Sequence, residues 1–123
     1  ALENLAFAVK GNYLQLRQIS GFKDPEVWLS GGISKISAFS QLVADTLDVS
    51  VQVPETGDAS LLGTAMCAAV GAGAYGSLRE AALQMRGPTS TISPIPDRVG
   101  YLGERYERWW SLYQKLEGLS EGL

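Results

Sequence analysis

The stretch of this chain whose residue types best suit chemistry is Ser30-Gly31-Gly32-Ile33-Ser34-Lys35. Two adjacent glycines leave backbone N–H groups uncovered by side chains, and the helical pattern that follows sets the positive end of a helix behind them. A turn of that kind suits the ribose and phosphates of a nucleotide. It is neither the G-x-G-x-x-G of a dinucleotide fold nor the G-x-x-x-x-G-K-[ST] of a P-loop, and Gly-Gly also serves merely to reverse a chain. By itself the turn leaves both readings open.

What the chain lacks narrows the chemistry. It has no histidine, which excludes Ser-His-Asp and Cys-His nucleophilic sites, most zinc sites and any imidazole pH switch. Carboxylates, hydroxyls and backbone amides remain. The single cysteine, Cys67, has no partner for an intramolecular disulfide; between Met66 and Ala68 it reads as a small core residue, and a reducing cytoplasm fits it. Ten Lys+Arg against 13 Asp+Glu give no positive field to attract nucleic acid.

Ala1 to Lys10 has neither the basic start nor the apolar run of a signal peptide. Ala59 to Leu78 carry no charged residue and are numerous enough to span a bilayer. Their Ala, Gly, Ser60, Thr64 and Ser77 are too weakly apolar for a membrane, so the segment reads as a buried, closely packed helix. With 123 residues, 46% apolar, the chain is one globular unit or a piece of one.

The elements that must position the turn follow from periodicity. Leu2, Leu5, Ala6, Val9, Tyr13, Leu16 and Ile19 recur at helical spacing. No capping side chain precedes them, so this reads as a helix cut in its middle, ended by Gly21 and Pro25. Val27-Trp28-Leu29 reads as a buried strand, and Phe39, Leu42, Val43, Thr46 and Leu47 as one face of a second helix. Ser50 to Val53 is a second strand closed by Pro54, and the loop Glu55-Thr56-Gly57-Asp58 leads to a third helix with Asp58 as N-cap. Strand, helix, strand, helix implies a right-handed parallel crossover.

Gly63, Gly71 and Gly73 fall in the third helix, each costing about 1 kcal/mol relative to Ala. Close helix-to-sheet packing, or approach of backbone to a ligand near Gly63, would offset that cost. Ser77-Leu78-Arg79-Glu80 resembles a capping box opening a short helix to Met85. Residues 87–96, with Pro88, Pro94 and Pro96, read as a surface loop, and residues 97–117 as the last helix. Its stripe Val99, Leu102, Tyr106, Trp109, Tyr113 and Leu116 is spaced for core packing rather than base stacking, with Glu104 and Arg108 at i,i+4.

In this order Trp28 to Lys35, Gln41-Leu42-Val43-Ala44-Asp45-Thr46-Leu47, Val51-Gln52-Val53-Pro54 and Ala59 to Ala65 resemble the carboxy-terminal domain of FGGY-family carbohydrate kinases. That family's usual run is a strand, G-G-G-[SA]-[RK]-S, a helix with Q-[IL]-[LIV]-A-D, a V-x-V-P strand and a small-residue helix reading A-x-x-x-G-A-A. Ala1-Leu2-Glu3 with Phe7-Ala8 resembles the end of its L-E-G-[LI]-A-F helix, so the likeness covers nearly the whole chain. The resemblance implies an α/β fold: part of an actin-like, ribonuclease H-like ATPase domain with parallel strands and flanking helices, residues 1–123 forming its carboxy-terminal part.

The resemblance further sets Gly31 and Gly32 against the adenosine and α-phosphate of ATP, with Ile33, Ser34 and Lys35 lining the turn and Gln41 near the nucleotide. Ile33 departs from the third glycine that is common there, and Ile36 from the usual Ser or Asn. Asp45 matches the family's A-D position and reads as structural, on a helix facing solvent; Asp58 fits a cap better than a metal ligand. In the family, magnesium-bound ATP sits between two such domains, and an aspartate of the other domain takes the proton from the sugar or polyol hydroxyl as phosphate transfers. The catalytic aspartate and the sugar site are then expected upstream of Ala1, and this segment alone is expected to be inactive.

Two alternatives stand beside that reading. One is a non-catalytic actin-like nucleotide-binding or interaction module. The other, a truncated dinucleotide oxidoreductase, wants an acidic residue closing the second strand and finds only Glu55 after Pro54. Two parallel strands with open edges also predict self-association.

Overall fold

The computed structural model describes residues 1–21, 26–56 and 58–120. In chain order these form α1 (Leu2–Ser20), β1 (Val27–Trp28), a 3₁₀ turn (Gly32–Lys35), α2 (Ser37–Leu47), β2 (Val51–Pro54), α3 (Ala59–Gly71), α4 (Leu78–Met85), β3 (Thr89–Ile92) and α5 (Pro96–Ser120). The α1 helix begins at Ala1 without a side-chain cap and stops at Gly21, where φ is 63° and the N–H donates to the Arg17 carbonyl at 3.1 Å. Pro25 and Gly57 lie outside the described residues.

β1 and β2 pair in parallel, Val27 opposite Val51 and Trp28 opposite Gln52, and the Leu29 N–H extends the ladder to the Gln52 carbonyl at 2.9 Å. The sheet is mixed, however. Within the expected 87–96 loop, Thr89–Ile92 forms β3, antiparallel to β2, so the order is β1-β2-β3 with β2 in the centre. Pro88 and Pro94 bracket this segment without interrupting it, and the β-branched Thr89, Thr91 and Ile92 suit a pleated surface. Thr91 Oγ1 also donates to its cross-strand neighbour Gln52 Oε1 at 2.8 Å.

The core gathers around α2. Phe39, Val43, Ala44 and Leu47 pack with Ala6 of α1 and Val51 of β2, while Phe7, Leu102 and Tyr106 form a second cluster between α1 and α5. α2 is therefore enclosed by α1, the sheet and α5, and the expectation that Asp45 faces solvent is overturned: its side chain is fully buried. The burial is satisfied by partners. Asp45 Oδ1 accepts from the Ile95 N–H and from Gln41 Nε2, both at 2.8 Å, and Oδ2 pairs with Arg98 at 3.4 Å. Ile95 precedes α5, whose first residue is Pro96, so a carboxylate from α2 holds the backbone N–H at the start of that helix.

The third helix departs from expectation in the other direction. Asp58 caps it as read, accepting from the Leu61 N–H at 3.0 Å, yet none of its residues is buried and Cys67 is exposed. Side chains added at Gly63 or Gly71 would meet no atom within 4 Å, and Gly73 lies in the turn beyond the helix with φ +76°. Within the described chain, α3 packs on α4 and touches little else. The Ser77 cap forms, its Oγ accepting from the Glu80 N–H at 3.1 Å, while Glu80 reaches back to the Gly76 N–H at 2.9 Å. On α5 the stripe is buried at Leu102 and Tyr106 and exposed at Tyr113 and Leu116. The ion pair anchoring this helix to α1 is Arg105 with Glu3 at 2.6 Å.

Candidate functional site

Because β1 and β2 are parallel, the chain leaves both at the same end of the sheet. From β1 it enters the glycine turn; from β2 it runs through Glu55 and Thr56 to the start of α3. Loops at the carboxyl ends of parallel strands are where open α/β sheets hold ligands. Here they flank a cleft of about 570 Å³ lined by Lys35, Thr56, Asp58, Leu61, Leu62 and Ala65, within the roughly 300–1,000 Å³ of small-molecule sites.

The turn itself is tightly built. Gly31 has φ 96° and ψ −178°, a conformation that side chains rarely adopt. The Ser34 N–H donates to the Gly31 carbonyl at 3.2 Å and Ser34 Oγ to the same oxygen at 2.7 Å. Behind it, Ser40 Oγ donates to the Ser34 carbonyl at 3.0 Å. Gly32 differs from Gly31: its φ is ordinary for any residue, and a Cβ there would meet no protein atom within 4 Å. Nothing inside the described chain demands glycine at that position.

Of the residues expected at a nucleotide, Lys35 alone lines the cleft. Gly31, Gly32 and Ile33 are exposed on the front of the turn, and Ser34 is buried beneath it with its hydroxyl already engaged. Gln41 does not join them as a free group. Its amide is spent on Asp45 at 2.8 Å and on the Ser93 carbonyl at 2.9 Å, fastening α2 to the segment after β3. Leu61, Leu62 and Ala65 lie in the run Ala59 to Ala65 that carries the family pattern and Thr56 in the loop before it, but none of the four was expected to line a site; Asp58 as N-cap marks the helix end that carries them.

The groups whose acidity the fold moves sit elsewhere, in the seam between α1 and α5. Burial pushes the Lys10 ammonium below its ordinary value, against the attraction of Glu107 and Asp48; it stands over the Tyr106 ring, 4.8 Å from its centroid. Burial, aided by Glu107, pushes the Tyr106 phenol up, and the hydrogen bond and charge of Glu3 raise Arg105. None of the three lines the cleft. Among the described residues no three acidic or thiol groups converge to hold a metal, and Asp58, the carboxylate on the cleft wall, is engaged as a cap. The cleft is lined by one lysine, one threonine, the capping aspartate and three apolar side chains.

Known proteins resemble the chain over most of its length. The model of the carboxy-terminal domain of the FGGY family of carbohydrate kinases matches residues 1–72. An autoinducer-2 kinase of Salmonella typhimurium is 31% identical over 120 residues, 98% of this chain and 23% of that protein. The Escherichia coli K12 autoinducer-2 kinase is 30% identical over 117 residues, 95% of this chain and 22% of that protein. Among solved structures, a xyloylose kinase from Brucella ovis superposes with a TM-score of 0.79 at 28% identity, covering 96% of this chain and 24% of that one. The chain thus spans about a quarter of the length of these relatives.

Proposed function

Because the chain belongs to the FGGY family of carbohydrate kinases as its carboxy-terminal domain, we propose that it forms one wall of the ATP site of a longer kinase. That kinase transfers the γ-phosphoryl group of ATP to a sugar or polyol hydroxyl in the cytoplasm. The observation carrying this reading is that Lys35, closing the glycine turn, and the α3 N-terminus line one cleft at the carboxyl end of the parallel strands. Gly31 and Gly32 lie against the adenosine and α-phosphate, Lys35 adds a positive charge, and Ile33 and Ser34 give the turn its shape. Catalysis in such an enzyme is positioning and charge neutralisation. Magnesium arrives with the phosphates and is assigned to no residue of this chain. The proton-accepting aspartate and the acceptor site are assigned to the other domain.

The test follows from the space at Gly32, which the fold leaves open. In the full-length kinase Gly32→Val should fold normally and raise the KM for ATP at least about tenfold with little change in that for the acceptor. An unchanged ATP KM would overturn the assignment. The isolated 123-residue chain should produce no acceptor-dependent ADP, and any genuine turnover would refute the division of labour.

β3 pairs along β2, so the sheet is not the bare two-stranded one from which open edges would drive self-association. A different surface supports it: α3 exposes Leu61 at 69% on a helix without charged residues. The isolated chain self-associates through this face. Sedimentation equilibrium showing a monomer of 13.2 kDa at micromolar concentration would overturn it.

A further inference from the structure

Ile36 occupies the N-cap position of α2 and has no oxygen with which to hold the helix start, so α2 begins without a side-chain cap. The glycine turn immediately before it would then hang on backbone bonds alone. Ser40, fully buried one turn into the helix, supplies the missing tie. Its N–H makes the ordinary helical bond to the Ile36 carbonyl at 3.1 Å. Its hydroxyl does not back-bond to its own helix, the common fate of a mid-helix serine; it donates instead to the Ser34 carbonyl, six residues back, at 3.0 Å. Ser34 Oγ carries the tie onward to the carbonyl of Gly31, the residue held at φ 96°.

We propose that Ser40 is a positioning residue for the nucleotide: through Ser34 it clamps the backbone of Gly31 and Gly32 to the buried helix α2 and presents it in one shape. The inference rests on the reading of this turn as a nucleotide contact. A preformed turn binds without first being ordered, so loss of the clamp appears in nucleotide affinity rather than in the chemical step.

The experiment measures steady-state kinetics of the full-length kinase with MgATP and its acceptor varied separately, alongside Gly32→Val as reference. Ser40→Ala, deleting one buried hydrogen bond, should raise the KM for ATP about three- to tenfold. The acceptor KM and kcat should stay within about twofold, and Ser40→Thr, which keeps the hydroxyl, should recover most of the loss. A folded Ser40→Ala enzyme with unchanged ATP KM, while Gly32→Val raises it, overturns the positioning role and leaves the site assignment standing. A loss confined to kcat with both KM values unchanged shows a merely structural serine and overturns it equally. If Gly32→Val is also silent, the nucleotide reading of the turn falls and this inference with it. Should Ser40→Ala not fold, Ser34→Ala breaks the same relay at its outer link, and an unchanged ATP KM there is likewise fatal.

Discussion

Helices α2 and α3 invert the usual expectation. α3 carries no charged residue and has no buried residue, whereas α2 includes Ser40, Asp45 and Thr46 and buries all three. The difference lies in neighbours, not composition. α2 has α1 on one side, the sheet on another and α5 on a third, and two of its buried polar side chains are paired, Asp45 with Ile95, Gln41 and Arg98 and Ser40 with Ser34, while the Thr46 hydroxyl is buried without a partner among the described residues. α3 has only α4. One helix is the framework of this domain; the other is a surface of small side chains and open glycines beside the cleft.

The comparison can be broken most decisively by equivalent truncations in the two helices. Phe39→Ala in α2, removing a side chain only 3% exposed, should cost about 3–5 kcal/mol in urea unfolding, enough to unfold a marginal domain. Next comes Asp45→Ala, which strands the Ile95 N–H and the Gln41 amide; about 2–3 kcal/mol is expected, with Asp45→Asn losing less because an amide oxygen can still accept. Arg98 contributes little to that figure, since its side chain is 59% exposed. A loss below about 1 kcal/mol for Asp45→Ala would mean that the α5 cap is not formed in solution.

On the α3 side the signs change. Gly63→Ala, at a helical position with open space around it, should stabilise the chain by about 0.5–1 kcal/mol in the same assay. In the full-length kinase it tests whether anything approaches that backbone: a raised ATP KM would assign the space to the ligand. The smallest effect belongs to Leu61→Ala, whose side chain is mostly exposed. It should change unfolding by no more than about 0.5 kcal/mol at low concentration. A cost near that of Phe39→Ala would show that α3 is covered after all, by another copy of the chain.

Much of this architecture was legible because its signals are local. The caps at Asp58 and Ser77, the stop at Gly21, the parallel strands and the glycine turn each depend on a few neighbouring residues, and all formed where their side chains indicated. The third strand escaped notice because the prolines beside Thr89–Ile92 outweigh four residues in any local reading. Its pairing with β2 is a long-range event that only the assembled sheet supplies. Of the site, the turn and the run Ala59 to Ala65 could each be read from neighbouring residues, but not that they line one cleft, since no short motif encodes which loops share a sheet end.

What the sequence by itself determined is therefore the set of elements, their order and the family pattern joining Trp28 through Ala65. Tertiary structure decided which faces are covered. Periodicity shows that a helix has an apolar face and never how many neighbours surround it, so the burial of Asp45 and the exposure of Cys67 are set by the packing alone. Burial is a property of the packed arrangement, and a carboxylate is tolerated inside wherever that arrangement brings an N–H, an amide and a guanidinium to meet it.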